Sequence, residues 1–158
     1  MEQLEDAGAP ISLLQRSRPE FRQLGNTGGT HLGNERYEKG QQIRREVLGD
    51  EYVDAAARTT TDFNRPFQEL IGEYVWGTLW ARPGIDRRTR AMINLGMLTA
   101  LGRTEEVKIY LKAGPNIGLT RDDVREVLMQ TAIYCGIPAA LDSFRAAQEV
   151  FNEQDEKT

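Results

Sequence analysis

The chain has 158 residues, with 20 basic against 24 acidic side chains, a net charge of −4, one cysteine and one histidine. That length suits a single core-bearing domain, and the slight acidity excludes a nucleic-acid coat or an anionic-membrane binder, both of which need a basic excess. A lone cysteine excludes an intrachain disulfide, a CxxC redox pair and a thiolate zinc cage, and a lone histidine removes the commoner multi-histidine metal centres, so no metal is expected.

Hydrophobic residues make up 39% and charged residues 28%, a globular balance. No apolar run approaches the roughly 20 residues that span a bilayer. The opening MEQLEDAGAP is acidic where a secretory leader is basic and then apolar. A cytoplasmic protein with no membrane or nucleic-acid partner is the expectation.

Residues 1–33 carry Pro10, Pro19 and glycines 8, 25, 28, 29 and 33, with no sustained periodicity. They read as an irregular arm, either a tail or a segment that orders across a neighbouring subunit. His31 lies in this arm and reads as a surface residue. From Asn34, an N-cap type, ERYEKGQQIRREVLG reads as a helix that stops at Gly49. A short helical DEYVDAAAR follows, then the breaker TTTDFN.

Phe63 to Trp80 reads as one helix, with Phe67, Leu70, Ile71, Tyr74 and Val75 at three-and-four spacing. Pro83 and Gly84 end it, and Asp86 caps RRTRAMINLGMLTAL, which stops at Gly102. Met92, Leu95, Leu98 and Thr99 mark its buried stripe, and Gly96 offers a close helix approach. Thr104 caps EEVKIYLKAG. Thr120 and Asp123 form a capping-box pattern opening RDDVREVLMQTAIYCG, where Val124, Val127, Leu128, Thr131, Ala132 and Cys135 share one face. Pro138 fits the first turn of AALDSFRAAQEVFNEQ. No strand alternation or hairpin signal appears, so the fold class is all-α: one helical domain over 34–154 and a polar tail over 155–158.

The densest chemistry lies in WGTLWARPGIDRRTR, which gathers Trp76 and Trp80 with Arg82, Arg87, Arg88 and Arg90. Tryptophan faces and guanidinium forks suit a flat, carboxylate-bearing molecule; the alternative is core tryptophans beside a solvated helix start. Arginines in a first turn oppose the helix dipole, which favours an anion or carboxylate partners there.

Glu106 and Tyr110 are one turn apart, where a buried carboxyl would hold a proton and a phenol would bond an oxyanion; a surface glutamate beside a packed tyrosine is the alternative. Glu69 and Glu73 make a similar pair. Asp142 and Arg145 read as a surface ion pair, and Cys135 as an inert core thiol.

The ordered run of W-G, R-P-G, a following arginine, A-L-G, E-E, G-L-T and Y-x-G-x-P-A-A resembles the carboxymuconolactone decarboxylase family. The likeness covers most of the chain after residue 40, with RREVLGDEYVDAAA as a weaker lead-in. It implies an all-α oligomer, a trimer or hexamer, and a cofactor-independent lyase acting on a small carboxylated substrate: a carboxylated lactone or keto acid of aromatic degradation.

It further implies that Arg82 and Trp76, with Glu69, bind substrate, and that Arg90, Glu106 and Tyr110 carry catalysis. The thiol branch of the family places CxxC and a histidine where this chain has Arg103, Glu106 and Tyr110, so thiol-peroxidase chemistry is excluded. The decarboxylase branch also places a histidine at Tyr110. That departure leaves open an isomerase or hydrolase acting on a related acid, and a non-catalytic helical oligomer stands as a further alternative.

Overall fold

The computed structural model describes residues 30–157, with side chains from Glu35 onward. The irregular arm expected over residues 1–33 therefore lies mostly outside the described residues. So does the side chain of His31.

Helix α1 spans Thr30–Leu48 and α2 spans Asp50–Arg58. Asn34 is no cap: the helix starts a turn earlier, at Thr30. Gly49 joins the two helices at φ 86, a left-handed value that a side chain would strain. Helix α3, Arg65–Leu70, runs directly into a π-helical segment, Ile71–Leu79. Phe63 to Trp80 is thus not one α-helix. Its second half switches to i→i+5 bonding, as in the 2.9 Å bond from the Trp80 N–H to the Val75 carbonyl.

Then come α4, Arg87–Ala100; α5, Thr104–Ala113; a 3₁₀ turn, Gly114–Ile117; α6, Arg121–Cys135; and α7, Ile137–Asp155. Asp86 caps α4 as the sequence suggests, and Thr120 with Asp123 forms the full capping box of α6. Thr104 does not cap α5; Arg103 occupies that place and makes no side-chain cap bond.

The face that α3 and the π segment bury is not the predicted one. Phe67, Leu70, Tyr74 and Val75 are exposed on this chain, whereas Gly72, Trp76, Gly77 and Trp80 are buried. Glycines explain the choice. A Cβ on Gly40 would lie 2.1 Å from the Gly72 carbonyl oxygen, and one on Gly77 would lie 2.1 Å from the Arg36 oxygen. Helix α1 and the π segment therefore meet backbone to backbone, a contact only glycine permits. Gly96, by contrast, is no close-approach site: a Cβ there would meet Thr131 Oγ1 at an ordinary 3.6 Å.

Two apolar clusters result. The larger holds Leu95, Val107, Leu111, Leu119, Val124, Leu128, Ala147 and Val150 from α4–α7 and the turn before α6. The smaller holds Ile43, Val47, Trp76, Trp80 and Ala91. Tyr110 and Ile117 pack against both, so α5 presents Tyr110 at the seam between them.

Cys135 is exposed and is not a core thiol; the stripe that buries Val124, Leu128 and Thr131 has turned outward by the last residue of α6. It lines an open, mostly apolar groove of about 460 Å³ between α4 and α6, with Ile93, Met97 and Tyr134. Among the described residues, no helix is long and apolar enough to cross a membrane, and no group of three His, Cys, Asp or Glu side chains is placed to hold a metal ion.

Candidate functional site

Helix α4 opens on Asp86, whose carboxylate accepts from the Thr89 N–H at 2.8 Å and from Thr89 Oγ1 at 2.9 Å. With the first turn fixed, the arginines that follow fan out at about 100° per residue. Arg87 donates to Glu46 on α1, and Arg88 makes a two-pronged contact with Asp123 on α6, at 2.9 and 2.6 Å.

These carboxylates offset the unfavourable placing of cations at a helix N-terminus. The Arg88 guanidinium, with bonds from Thr120, draws Asp123 down to about 2. Two members of the expected arginine cluster are thus tied to protein carboxylates.

Arg90 is different. Its Nη2 donates to the Arg82 carbonyl at 3.3 Å, and its Nε is buried without a partner. A buried guanidinium N–H left unpaired is costly, and Arg90 is the one arginine of the cluster that carries such a group. The Arg82 side chain is exposed and lines an open cavity of about 410 Å³ with Trp80, Lys39, Gln42 and Arg87.

The tryptophans form a wall. Trp76 and Trp80 are tilted against each other at 4.9 Å between ring centres, and Trp80 lies nearly parallel to Tyr110 at 6.1 Å and 11°. Asn94 Nδ2 donates to the Tyr110 hydroxyl oxygen at 2.8 Å. Because that oxygen accepts, its own O–H remains free to donate elsewhere. Burial raises the Tyr110 pKa above its usual value; the Asn94 bond pulls the other way, and nearby Tyr52 adds a smaller upward push. The phenol stays protonated at neutral pH.

Asn94 lies one turn beyond Arg90 on the same face of α4. Sequence reasoning missed it, although that spacing from Arg90 was readable. Arg90, Trp76 and Tyr110 thus gather through Trp80, Asn94 and the Arg82 backbone.

Glu106 and Glu69 do not join this arrangement. Glu106 is ion-paired with Arg103, which holds its carboxyl below the usual range, so the expectation of a buried, protonated acid is corrected. Glu69 lines a separate cavity between α1, α2 and α3, far around α1 from Arg82.

The scaffold thus sets the Trp76–Trp80 pair and the half-buried Tyr110 phenol beside a half-buried Arg90 that carries one unpaired N–H. Comparison with known proteins gives the class. The profile of the carboxymuconolactone decarboxylase family matches residues 65–149. The 4-carboxymuconolactone decarboxylase of Acinetobacter baylyi is 38% identical over 119 residues, covering 75% of this chain and 89% of that protein.

The nitrosuccinic acid decarboxylase of Metarhizium robertsii is 37% identical over 121 residues, covering 77% of this chain and 85% of that protein. A 4-carboxymuconolactone decarboxylase sequence of Pseudomonas putida is 46% identical over 43 residues, covering 27% of this chain and 90% of that sequence. The protein is an enzyme of the decarboxylase class. It belongs to the carboxymuconolactone decarboxylase family.

Proposed function

We propose that this enzyme removes CO2, without a cofactor, from a small acid bearing two carboxylates, in the manner of a carboxylated lactone or keto acid of aromatic degradation. The names of its relatives support the chemistry. Both 4-carboxymuconolactone and nitrosuccinic acid are dicarboxylic, and in each one carboxylate sits on a carbon whose electron pair can spread onto oxygen. One observation carries the reading: the Tyr110 hydroxyl oxygen accepts from Asn94 beside the Trp80 ring, which leaves its own O–H available to donate.

The C–C bond to the departing carboxylate breaks, its electron pair moves onto the acceptor oxygen, and CO2 leaves. Arg90 holds the retained carboxylate through its guanidinium and so fixes the substrate's orientation. Trp76 and Trp80 keep water from the departing carboxylate, whose solvation would otherwise stabilise the ground state. Tyr110 donates a hydrogen bond to the developing oxyanion and then its proton to the carbon, and recovers a proton from solvent. With Glu106 held by Arg103, the phenol is the acid of this cluster.

The enzyme works as a homo-oligomer, a trimer or hexamer. Its exposed apolar residues support this, among them Ile93, Met97, Ile133 and Tyr134 along α4 and α6. A monomer by light scattering at micromolar concentration overturns that part. For the reaction, purified protein is assayed for CO2 release from 4-carboxymuconolactone and from nitrosuccinate. Turnover of either, with kcat/KM lowered about tenfold or more in Arg90→Met, is expected. No release from either substrate overturns the assignment.

A further inference from the structure

A second arginine has a buried Nε without a hydrogen-bond partner, and it lies outside both the site above and the family-matched residues 65–149. Arg44 is only 8% exposed, and its Nε has no partner. Its one described contact is a 6.0 Å approach over the Tyr52 ring, which accounts for a face of the guanidinium but for none of its N–H groups.

Arg44 lines a cavity of about 210 Å³ between α1, α2 and α3. That is roughly seven water volumes at about 30 Å³ each. The wall also offers the amides of Gln41 and Gln68, the Thr60 hydroxyl and the Glu69 carboxylate. On α1, Gln41 and Arg44 flank the buried stripe of Gly40, Ile43 and Val47 on one side, while Lys39, Gln42 and Glu46 flank it on the other, toward Arg82. The two cavities are distinct.

We propose that this cavity is a binding site for a small monocarboxylic acid that carries a hydroxyl or ammonium donor beside its carboxylate. The planar Arg44 fork matches a carboxylate, and the buried cation lacks the anion that would repay its desolvation. Arg65, also in the wall, is already neutralised by Asp62 at 2.9 Å. Arg65 is drawn to Glu69 as well, so in this lining Arg44 is the cation without a paired carboxylate and Glu69 the one carboxylate. This balance suits a monoanion with a donor for Glu69 and disfavours phosphates, which Glu69 would repel.

The test is calorimetric titration of the full chain with lactate and, separately, with propionate. Both bind Arg44, lactate more tightly through its hydroxyl. Arg44→Met weakens both about tenfold or more, and Glu69→Gln removes the preference for lactate. Arg44→Met also leaves thermal stability unchanged or raised, because a side chain awaiting a ligand contributes little to the ligand-free fold; a structural arginine would give a large loss.

If Arg44→Met does not fold, the Arg44 Nε resonance of the unmodified protein decides, with a saturable shift on titration with lactate supporting the site. An unshifted resonance, no binding of either acid at millimolar concentration, or equal binding by Arg44→Met overturns the proposal. None of these readouts depends on decarboxylation.

Discussion

Replacing Gly40 with alanine sets two effects of opposite sign against each other. In a helix interior, alanine is favoured over glycine by about 1 kcal/mol, so local propensity alone makes Gly40→Ala stabilising. The tertiary contact opposes it. The new Cβ lies 2.1 Å from the Gly72 carbonyl oxygen and 2.8 Å from the Gly77 nitrogen. Carbon–oxygen contacts settle at about 3.3 Å or longer, so α1 and the π segment must part by about 1 Å.

Both clashing atoms are backbone, and no rotamer change relieves them. Overpacking of this kind costs about 1–3 kcal/mol, and the rigid target places it near the upper end. The net loss is about 2 kcal/mol, or a fall in Tm of roughly 4–8 °C for a chain of this length. Thermal denaturation followed by far-UV circular dichroism measures it, with Gly96→Ala as the control. That position has only ordinary contacts and gains by propensity, by up to about 1 kcal/mol. A Tm for Gly40→Ala equal to or above that of the unmodified protein refutes the backbone-on-backbone contact.

Tyr110→Phe removes the free O–H and leaves Asn94 Nδ2 without its acceptor. Steady-state kinetics should show kcat reduced on the order of 100-fold with KM little changed, as for loss of one oxyanion donor. Glu106→Gln should leave kcat/KM within about twofold, because the carboxylate is occupied by Arg103; a collapse of activity would restore it as the acid.

Acid sensitivity should centre on Asp123, whose folded pKa of about 2 lies below its ordinary value of 3.8. A depressed carboxylate pKa gives stability that is present above the unfolded value and lost as pH falls through the folded one. Urea denaturation between pH 5 and pH 2 should therefore show a decline that is smaller in Asp123→Asn. An identical pH dependence in that variant contradicts the Arg88 pairing as its source.

Most of the helical order was legible because the punctuation is chemical and local: Gly49, Asp86, Gly102, the Thr120–Asp123 box and Pro138 each act within a turn of where they stand. The stretch from Phe67 to Trp80 was not, because its three-and-four apolar spacing reports hydrophobicity, whereas the buried face is chosen by how closely α1 approaches Gly72 and Gly77. That requirement lies in residues some thirty positions apart, beyond any periodicity window.

The site shows the same division. Residue type and motif singled out Arg90, Trp76 and Tyr110, but not the Asn94 that bonds the Tyr110 hydroxyl. The fate of Glu106 depended on which neighbour reached it first, and Arg103 stands only three residues away. Arg44 was a missed signal: in RREVLG it lies between Ile43 and Val47, on the edge of a stripe that is otherwise apolar, where a charged residue is out of place.

The adjacent arginines Arg87 and Arg88 leave α4 about 100° apart and hold different helices, Glu46 on α1 and Asp123 on α6. Like two guy ropes on a mast, they oppose twisting of α4 about its own axis, since a turn in either direction lengthens one of them. Arg90 and Asn94, farther along the same rod, inherit that fixed azimuth. The direction of the Arg90 guanidinium and the Asn94–Tyr110 bond are thus set partly by two ion pairs at the start of the helix, and are sensitive to ionic strength through them.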